Sequence, residues 1–335
     1  MLELKTLALL KNKKNLLAFS AGIDSTALFF LLINSKIKFD IAIVNYSVRE
    51  QSKEEVLYAQ ELAKKYNIIC HIHNAIKINK NFEAKARELR YNFFHTLIKE
   101  NSYNNLLTAH HLGDRFEWMM MQFCKGAGCA ELTGMSILES RDNYSLIRPL
   151  LHLDKTELLK YLDNEKIKYF IDKTNYDKSI KRNNFRHNIT KPLLKEYLSG
   201  IKKSFEYIDE DKQYLIKNTD IVTIKDFSYF KSFNSRSDIY TIDKHLKSLG
   251  HIITAKEREL LKKEKSLVLG RKFLIVQDKS YIFISPFTDE KTTINKEFKE
   301  LCRALKIEPK FRTYLYNNTK IFEKVRDLIT KPKIY

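Results

Sequence analysis

Cysteine is scarce in this chain and badly spaced for chemistry. Cys70, Cys124, Cys129 and Cys302 include no CxxC pair, so neither a disulfide framework nor a tetrahedral zinc site can be read from them. No GxxxxGK(S/T) occurs, which excludes a Walker-type phosphate loop. Long hydrophobic runs are missing too: the longest, Ala27 to Ile33, is far too short to span a bilayer. The opening segment MLELKTLALLKNKK mixes charge into its apolar residues and lacks the tripartite layout of a signal peptide. No membrane partner is indicated, and a cytoplasmic location is expected. Internal repeats and low-complexity segments are also lacking.

What is present is a chain of 335 residues, 44% hydrophobic, with a formal charge of +19. That length is too great for one ordinary core and fits two domains. Such a charge points to a polyanion, nucleic acid first, although a composition biased toward Lys, Asn and Ile would produce it as well.

Residues 1–150 alternate short apolar runs with helical patterns. Asn15–Phe19, Ile41–Val44, Ile68–His71 and Leu106–Ala109 read as buried strands. Between them Asp24–Asn34, Lys53–Lys65 and Phe82–Lys99 read as helices, the last with Phe82, Ala86, Leu89, Phe93 and Leu97 on one face. The alternation predicts an α/β fold, a parallel sheet with helices on both faces. Ligands then belong at the carboxyl ends of the strands, in loops 20–25 and 110–117. A further helix is expected over Lys155–Asn164 with Asp154 as N-cap. After a boundary near 200–220 comes a smaller mixed α+β region, with a hairpin of Lys272–Val276 and Tyr281–Ser285.

The segment LLAFSAGIDSTALFFLL is a strand, a small-residue turn and a helix in succession. Ser20, Ala21 and Gly22 let backbone N–H groups turn toward an anion, with Ile23 completing the turn, and Asp24-Ser25-Thr26 opens the helix, whose N-terminus carries positive partial charge. The Ser20 and Ser25 hydroxyls can donate to phosphate. Asp24 would repel a bare phosphate and makes best sense holding Mg²⁺. The plainer reading is a helix cap after a tight turn.

After the fourth strand comes His110-His111-Leu112-Gly113-Asp114-Arg115-Phe116-Glu117. The two imidazoles and two carboxylates admit three readings: metal ligands, a site where Asp114 and Glu117 pair an ammonium group, or a solvated helix start. Downstream, Lys125-Gly126-Ala127-Gly128 and Leu132-Thr133-Gly134-Met135 form a glycine-rich turn; four of the chain's eight glycines lie between 113 and 134. This suggests close backbone approach to a ligand or a flexible loop. Between 172 and 194, Lys181, Arg182, Arg186, His187 and Lys191 gather cationic charge. On a helix Arg182 and Arg186 share a face able to grip phosphates bidentately. Tyr169, Tyr176 and Phe185 offer rings to unpaired bases, against the plainer reading of a solvated charged helix.

In order and spacing these motifs resemble the tRNA(Ile)-lysidine synthetase family of PP-loop ATP pyrophosphatases. The family pattern SGGxDS is met by Ser20–Ser25, and its E–AR–RY helix by Glu83, Ala86-Arg87 and Arg90-Tyr91. HHxxDQxET is met at His110–Trp118, and RPLL at Arg148–Leu151. The last motif, DxSNxDxxxxRNxxRxxxxPLL, is met from Asp172 to Leu194. A weaker echo, FKELCRALKIEPKFR at 298–312, is similar to the family's C-terminal domain. The departures are Ala21 for glycine, Gly113 for an acid, Arg115 for Gln, Trp118 for Thr, and Tyr46-Ser47 for His-Gly.

The resemblance implies a PP-loop, adenine nucleotide α-hydrolase-like catalytic domain over residues 1–200 and a tRNA-binding region over 201–335. It implies a ligase that consumes ATP with Mg²⁺, the metal held through Asp24. The wobble cytidine of the CAU-anticodon tRNA(Ile) attacks the α-phosphate through its C2 oxygen, and free L-lysine then displaces AMP. The product, lysidine, reads AUA instead of AUG. Ser20, Ala21, Gly22, Ile23, Asp24, Ser25 and His110 would bind ATP. Asp114 and Glu117 would bind lysine and, with Asp24, form the catalytic set. Arg87, Arg182, Asn183 and Arg186 would hold tRNA. A homodimer is left open. The rivals are a PP-loop tRNA thiolase, a degenerate non-catalytic tRNA-binding protein, and a metal hydrolase using His110, His111, Asp114 and Glu117.

Overall fold

The computed structural model describes residues 1–46, 51–76, 82–141, 143–171, 181–217, 219–287 and 292–330, the side chain of Lys181 excepted. Ser47 and residues 172–180, Tyr176 among them, therefore lie outside the described residues. The chain forms two compact units, Met1–Asp209 and Glu210–Tyr335.

Unit 1 holds, in order, α1 (Leu4–Leu10), β1 (Asn15–Ala18), α2 (Ile23–Asn34), β2 (Phe39–Asn45), α3 (Gln51–Tyr66), β3 (Cys70–Asn74), α4 (Phe82–Asn101) and β4 (Asn105–Leu107). It continues with α5 (Leu112–Phe123), α6 (Cys129–Leu132), β5 (Leu138–Ser140), β6 (Ser145–Ile147), α7 (Lys155–Asn164) and α8 (Lys181–Phe185). A π-helical turn, Arg186–Thr190, then leads into α9 (Lys191–Leu215). Among the described residues the strands form one sheet in the order β3-β2-β1-β4-β6-β5, parallel except for the β5–β6 pair.

Alternation along each strand explains the two covered faces. Leu17, Ile41, Ile43, Leu107 and Ile147 join one core with residues of α2, α3 and α7. Their neighbours Leu16, Ala42, Leu106 and Leu146 join another with Phe94, Leu97 and Ile98 of α4. The chain runs outward through β1, β2 and β3, then returns to place β4 on the other side of β1. Strand order reverses there, so the crevice beyond the ends of β1 and β4 is where a ligand site is built.

Two local expectations shift. The third strand starts at Cys70 rather than Ile68, because Asn67 (φ 53) ends α3 and the Ile68 N–H bonds back to the Ala63 carbonyl. On α4, Phe94 is fully buried in the core, while Phe93, expected on that face, is half-buried, packed against the same core and beside the His73 ring. Asp154 caps α7 as read, accepting from Thr156 while Glu157 closes the capping box.

Unit 2 contains β7 (Val222–Ile224), β8 (Phe227–Lys231), α10 (Ser235–Ser248), α11 (Ala255–Leu261), β9 (Ser266–Leu269), β10 (Phe273–Gln277) and β11 (Tyr281–Pro286). It ends with α12 (Lys296–Ala304), α13 (Pro309–Asn317) and α14 (Thr319–Thr330). The strands form an antiparallel sheet, β7-β8-β11-β10-β9, which includes the expected hairpin. Phe227, Leu274 and Phe283 pack against α12 to α14, while Phe230, Ile275 and Ile284 pack against α10 and α11. The FKELCRALKIEPKFR segment spans α12 and the start of α13, with Pro309 at the first helical turn. No helix among the described residues is long and apolar enough to cross a membrane.

Candidate functional site

The turn from β1 into α2 is knit by its own hydroxyls. Ser25 Oγ accepts from the Ser20 N–H, lies 3.1 Å from Ser20 Oγ, and donates to the Gly22 carbonyl. Ala21 is fully buried at φ 56, a left-handed conformation that costs L-residues about 1 kcal/mol or more. The Ala21 carbonyl accepts from the Phe170 N–H, and Gly22 bridges Phe170, so the chain after α7 braces the loop. Asp24 sits in the first turn of α2 with one oxygen, Oδ1, buried and without a hydrogen-bond partner. Among the described residues its nitrogen neighbours are His111 Nε2, 3.9 Å from Oδ1, and Lys155 Nζ, 3.6 Å from Oδ2. An orphaned carboxylate oxygen at a helix N-terminus fits Mg²⁺, which takes one or two protein carboxylates and completes its shell with water and phosphate.

Across the crevice, His111 caps α5. Its Nδ1 accepts from the Gly113 N–H, while Asp114 accepts from the His111 N–H. The absent side chain at 113 is required here, since a Cβ would lie 2.7 Å from His111 Cε1. His111 Nε2 faces Asp114 Oδ2 at 3.5 Å as well as Asp24, so this imidazole links the phosphate loop to the acid pair. His110 contacts Thr108, and burial pushes its imidazole down to about 4 against the pull of Asp114, with Arg148, Arg182 and Arg87 adding to the shift. It is neutral at neutral pH.

Asp114, Glu117, Arg182 and Arg186 form one network. Glu117 is 1% exposed and accepts from Nε of both arginines, at 2.8 Å from Arg186 and closer still from Arg182. Asp114 Oδ1 accepts from Arg182 Nη2 at 3.3 Å and Arg186 Nη2 at 3.2 Å. Burial raises the Asp114 carboxyl, but His111, His110, Arg182 and Arg186 outweigh it and hold the group well below the usual carboxylate range. The π-helical turn sets Arg186 at its first position, and Asn183 beside it is buried. The two carboxylates and two arginines, read from sequence as separate amine and RNA sites, are therefore partners.

Other expectations resolve differently. The four His and acid side chains do not converge on a metal: each imidazole Nδ1 and each carboxylate is engaged as above. Arg115 is buried, grips Asp209 through both terminal nitrogens, and donates from Nε to the Thr133 carbonyl, so its role is to anchor the glycine-rich turn. Arg148 does the same for the loop before β5, through the Ser136 carbonyl and Glu139. Tyr169 packs on the core and donates to Asp163, away from any stacking role. Tyr46 donates to the Ala86 carbonyl at the start of α4. Arg87 lies over the Tyr91 ring on α4, within electrostatic reach of His110. One residue escaped sequence reading as part of the site, Lys155; His111 was weighed there only as a metal ligand, not as the link between the phosphate loop and the acid pair. The signal for Lys155 was its place beside the Asp154 cap, at the start of a helix whose partner in packing is α2.

The family model for the PP-loop domain matches residues 2–193. The tRNA(Ile)-lysidine synthase of Helicobacter pylori is 42% identical over 308 residues, covering 92% of this chain and 90% of the relative. That of Campylobacter jejuni is 41% identical over 314 residues, covering 93% and 95%. Among solved structures, the U34-tRNA thiolase NcsA from Methanococcus maripaludis, with its 4Fe-4S cluster, superposes with a TM-score of 0.53 at 21% identity, covering 64% of this chain and 76% of the thiolase. That likeness shows the shared fold. The lysidine synthase identities run through both compact units, and with them the chain belongs to the tRNA(Ile)-lysidine synthase family of PP-loop proteins.

Proposed function

We propose that this chain ligates L-lysine to C2 of the wobble cytidine of the CAU-anticodon tRNA(Ile), using ATP. The observation that carries the reading is the chain of contacts from Asp24 through His111 to Asp114, which sets a phosphate loop beside a buried acid pair. Ser20 to Ser25 and neutral His110 hold ATP. The cytidine C2 oxygen bonds to the α-phosphorus as the bond to pyrophosphate breaks; the lysine ε-nitrogen then bonds to C2 as AMP leaves and the amine loses a proton. Bound through Asp24 Oδ1, Mg²⁺ would supply charge stabilisation for the leaving pyrophosphate. Lys155 adds positive charge on the same side. The enzyme works in the cytoplasm, where tRNA, ATP and free lysine coexist, and the Lys-rich unit 2 grips the tRNA body.

The acid–arginine network gives the site an order of events. With both arginines bound, the network is electrically neutral and attracts an ammonium weakly. When Arg182 and Arg186 turn to anticodon-loop phosphates, Asp114 and Glu117 are left as a double negative charge for lysine. RNA and lysine therefore bind with positive, reciprocal coupling.

Glu117→Gln separates this role from a structural one. It should raise the KM for lysine on the order of thirtyfold, the worth of about 2 kcal/mol for a partly desolvated charged pair, while the KM for ATP barely moves. Steady-state kinetics with each substrate varied in turn decides it; equal effects on lysine and ATP would leave Glu117 as scaffolding.

A further inference from the structure

Trp118 is the chain's single tryptophan and stands where the family has threonine. It follows Asp114 by four residues on α5, so it lies one turn further along the same face. Trp118 is 45% exposed and follows directly on Glu117, one turn from Asp114, the two acids that pair Arg182 and Arg186. Two other features seat it there. Arg115 holds the Thr133 carbonyl, and the next residue, Gly134, has φ 62. A Cβ on Gly134 would come within 3.0 Å of Trp118 Cδ1. The glycine-rich turn thus brings bare backbone against an aromatic ring.

We propose that Trp118 is an RNA-stacking residue that receives an unpaired base of the loop carrying the target cytidine. The inference rests on the ligase reading above. A half-exposed indole, with Cδ1 held close to the Gly134 backbone, is available to stacking, and any nucleobase can use such a ring. Arg182 and Arg186 supply the neighbouring phosphate contacts that a loop needs. Adenine of ATP is the other source of a base, but the phosphate loop meets α5 at His111. Trp118 lies seven residues further on, about 10 Å along the helix.

Because the tryptophan is unique, its fluorescence reports on this face alone. Anticodon stem-loop RNA, titrated without ATP or lysine, should quench it, and one abasic loop position should abolish the quenching. Mg-ATP alone should leave emission unchanged. Trp118→Leu, which keeps an apolar contact for Gly134, should weaken stem-loop binding on the order of tenfold, and Trp118→Phe should restore most of it. At saturating tRNA, the KM values for ATP and lysine should stay as in the wild type. Quenching by Mg-ATP alone, quenching indifferent to every abasic position, or wild-type RNA affinity in the leucine variant would each overturn the proposal. The titration needs no turnover, so a wild-type protein that quenches with RNA yet makes no lysidine would sink the ligase reading and leave the stacking role standing.

Discussion

Asp24→Ala is expected to abolish ATP-dependent tRNA modification while leaving the protein folded. Asp24 contributes little to stability: its side chain is 30% exposed, and the His111 and Lys155 nitrogens stand beyond hydrogen-bond distance. Removing an acid from the first turn of α2 should cost a few tenths to 1 kcal/mol of helix-dipole interaction. The chemical loss should be far larger. Charge stabilisation through a bound metal is worth several kcal/mol, and each 1.4 kcal/mol is tenfold in rate, so kcat/KM should fall on the order of 10³-fold. Single-turnover release of pyrophosphate, alongside a thermal melt, checks both halves. A folded variant with near-normal turnover would reduce Asp24 to a helix residue.

Most of the framework behind that prediction could be read from sequence. Apolar runs bounded by turn residues gave β1 to β4, because buried parallel strands must be continuous hydrophobic segments. The Asp154 cap and the β10–β11 hairpin were legible for equally local reasons. The strands β5 to β9 were not; Val222–Ile224, for one, is an edge strand of three residues, and pattern over so short a span says little. The site divides in the same way. Ser20 to Ser25 is one local segment, and its sequence displays its shape. The pairing of Glu117 with Arg182 spans 65 residues, and nothing in either helix's spacing announces the other. Likewise Gly113 read as a damaged motif until the His111 ring was seen above it.

Replacing Arg182 and Arg186 together should have the second largest effect, in two separable ways. If each arginine meets one phosphate, the log–log salt dependence of tRNA binding should fall by about 1.4 to 1.8 units. Lysine affinity should also cease to respond to RNA, because no cation remains to be transferred from Asp114 and Glu117 to phosphate. Alanine at both positions strands a buried carboxylate and risks misfolding. Arg182→Lys with Arg186→Lys is the safer companion, keeping charge while losing the fork that spans Asp114 and Glu117 at once. It should retain the salt slope but turn over slowly even at saturating tRNA, since a loosely held loop loses alignment for in-line attack. Alanine at Lys262 and Lys263 should lower affinity slightly and leave the rate alone. Isothermal titration of lysine with and without stem-loop RNA reads the coupling directly; identical lysine affinities in the wild type would remove the exchange from the mechanism.

Label transfer shows most directly whether a nucleotide-activated cytidine is joined to lysine. The protein is incubated with Mg-ATP and bulk tRNA, in parallel with labelled lysine and with labelled sulfide, and the RNA is then isolated. Lysine label should enter only the CAU-anticodon tRNA(Ile), with one AMP and one pyrophosphate released per lysine incorporated. Sulfur label in the RNA, or tRNA bound with neither label transferred, would contradict it.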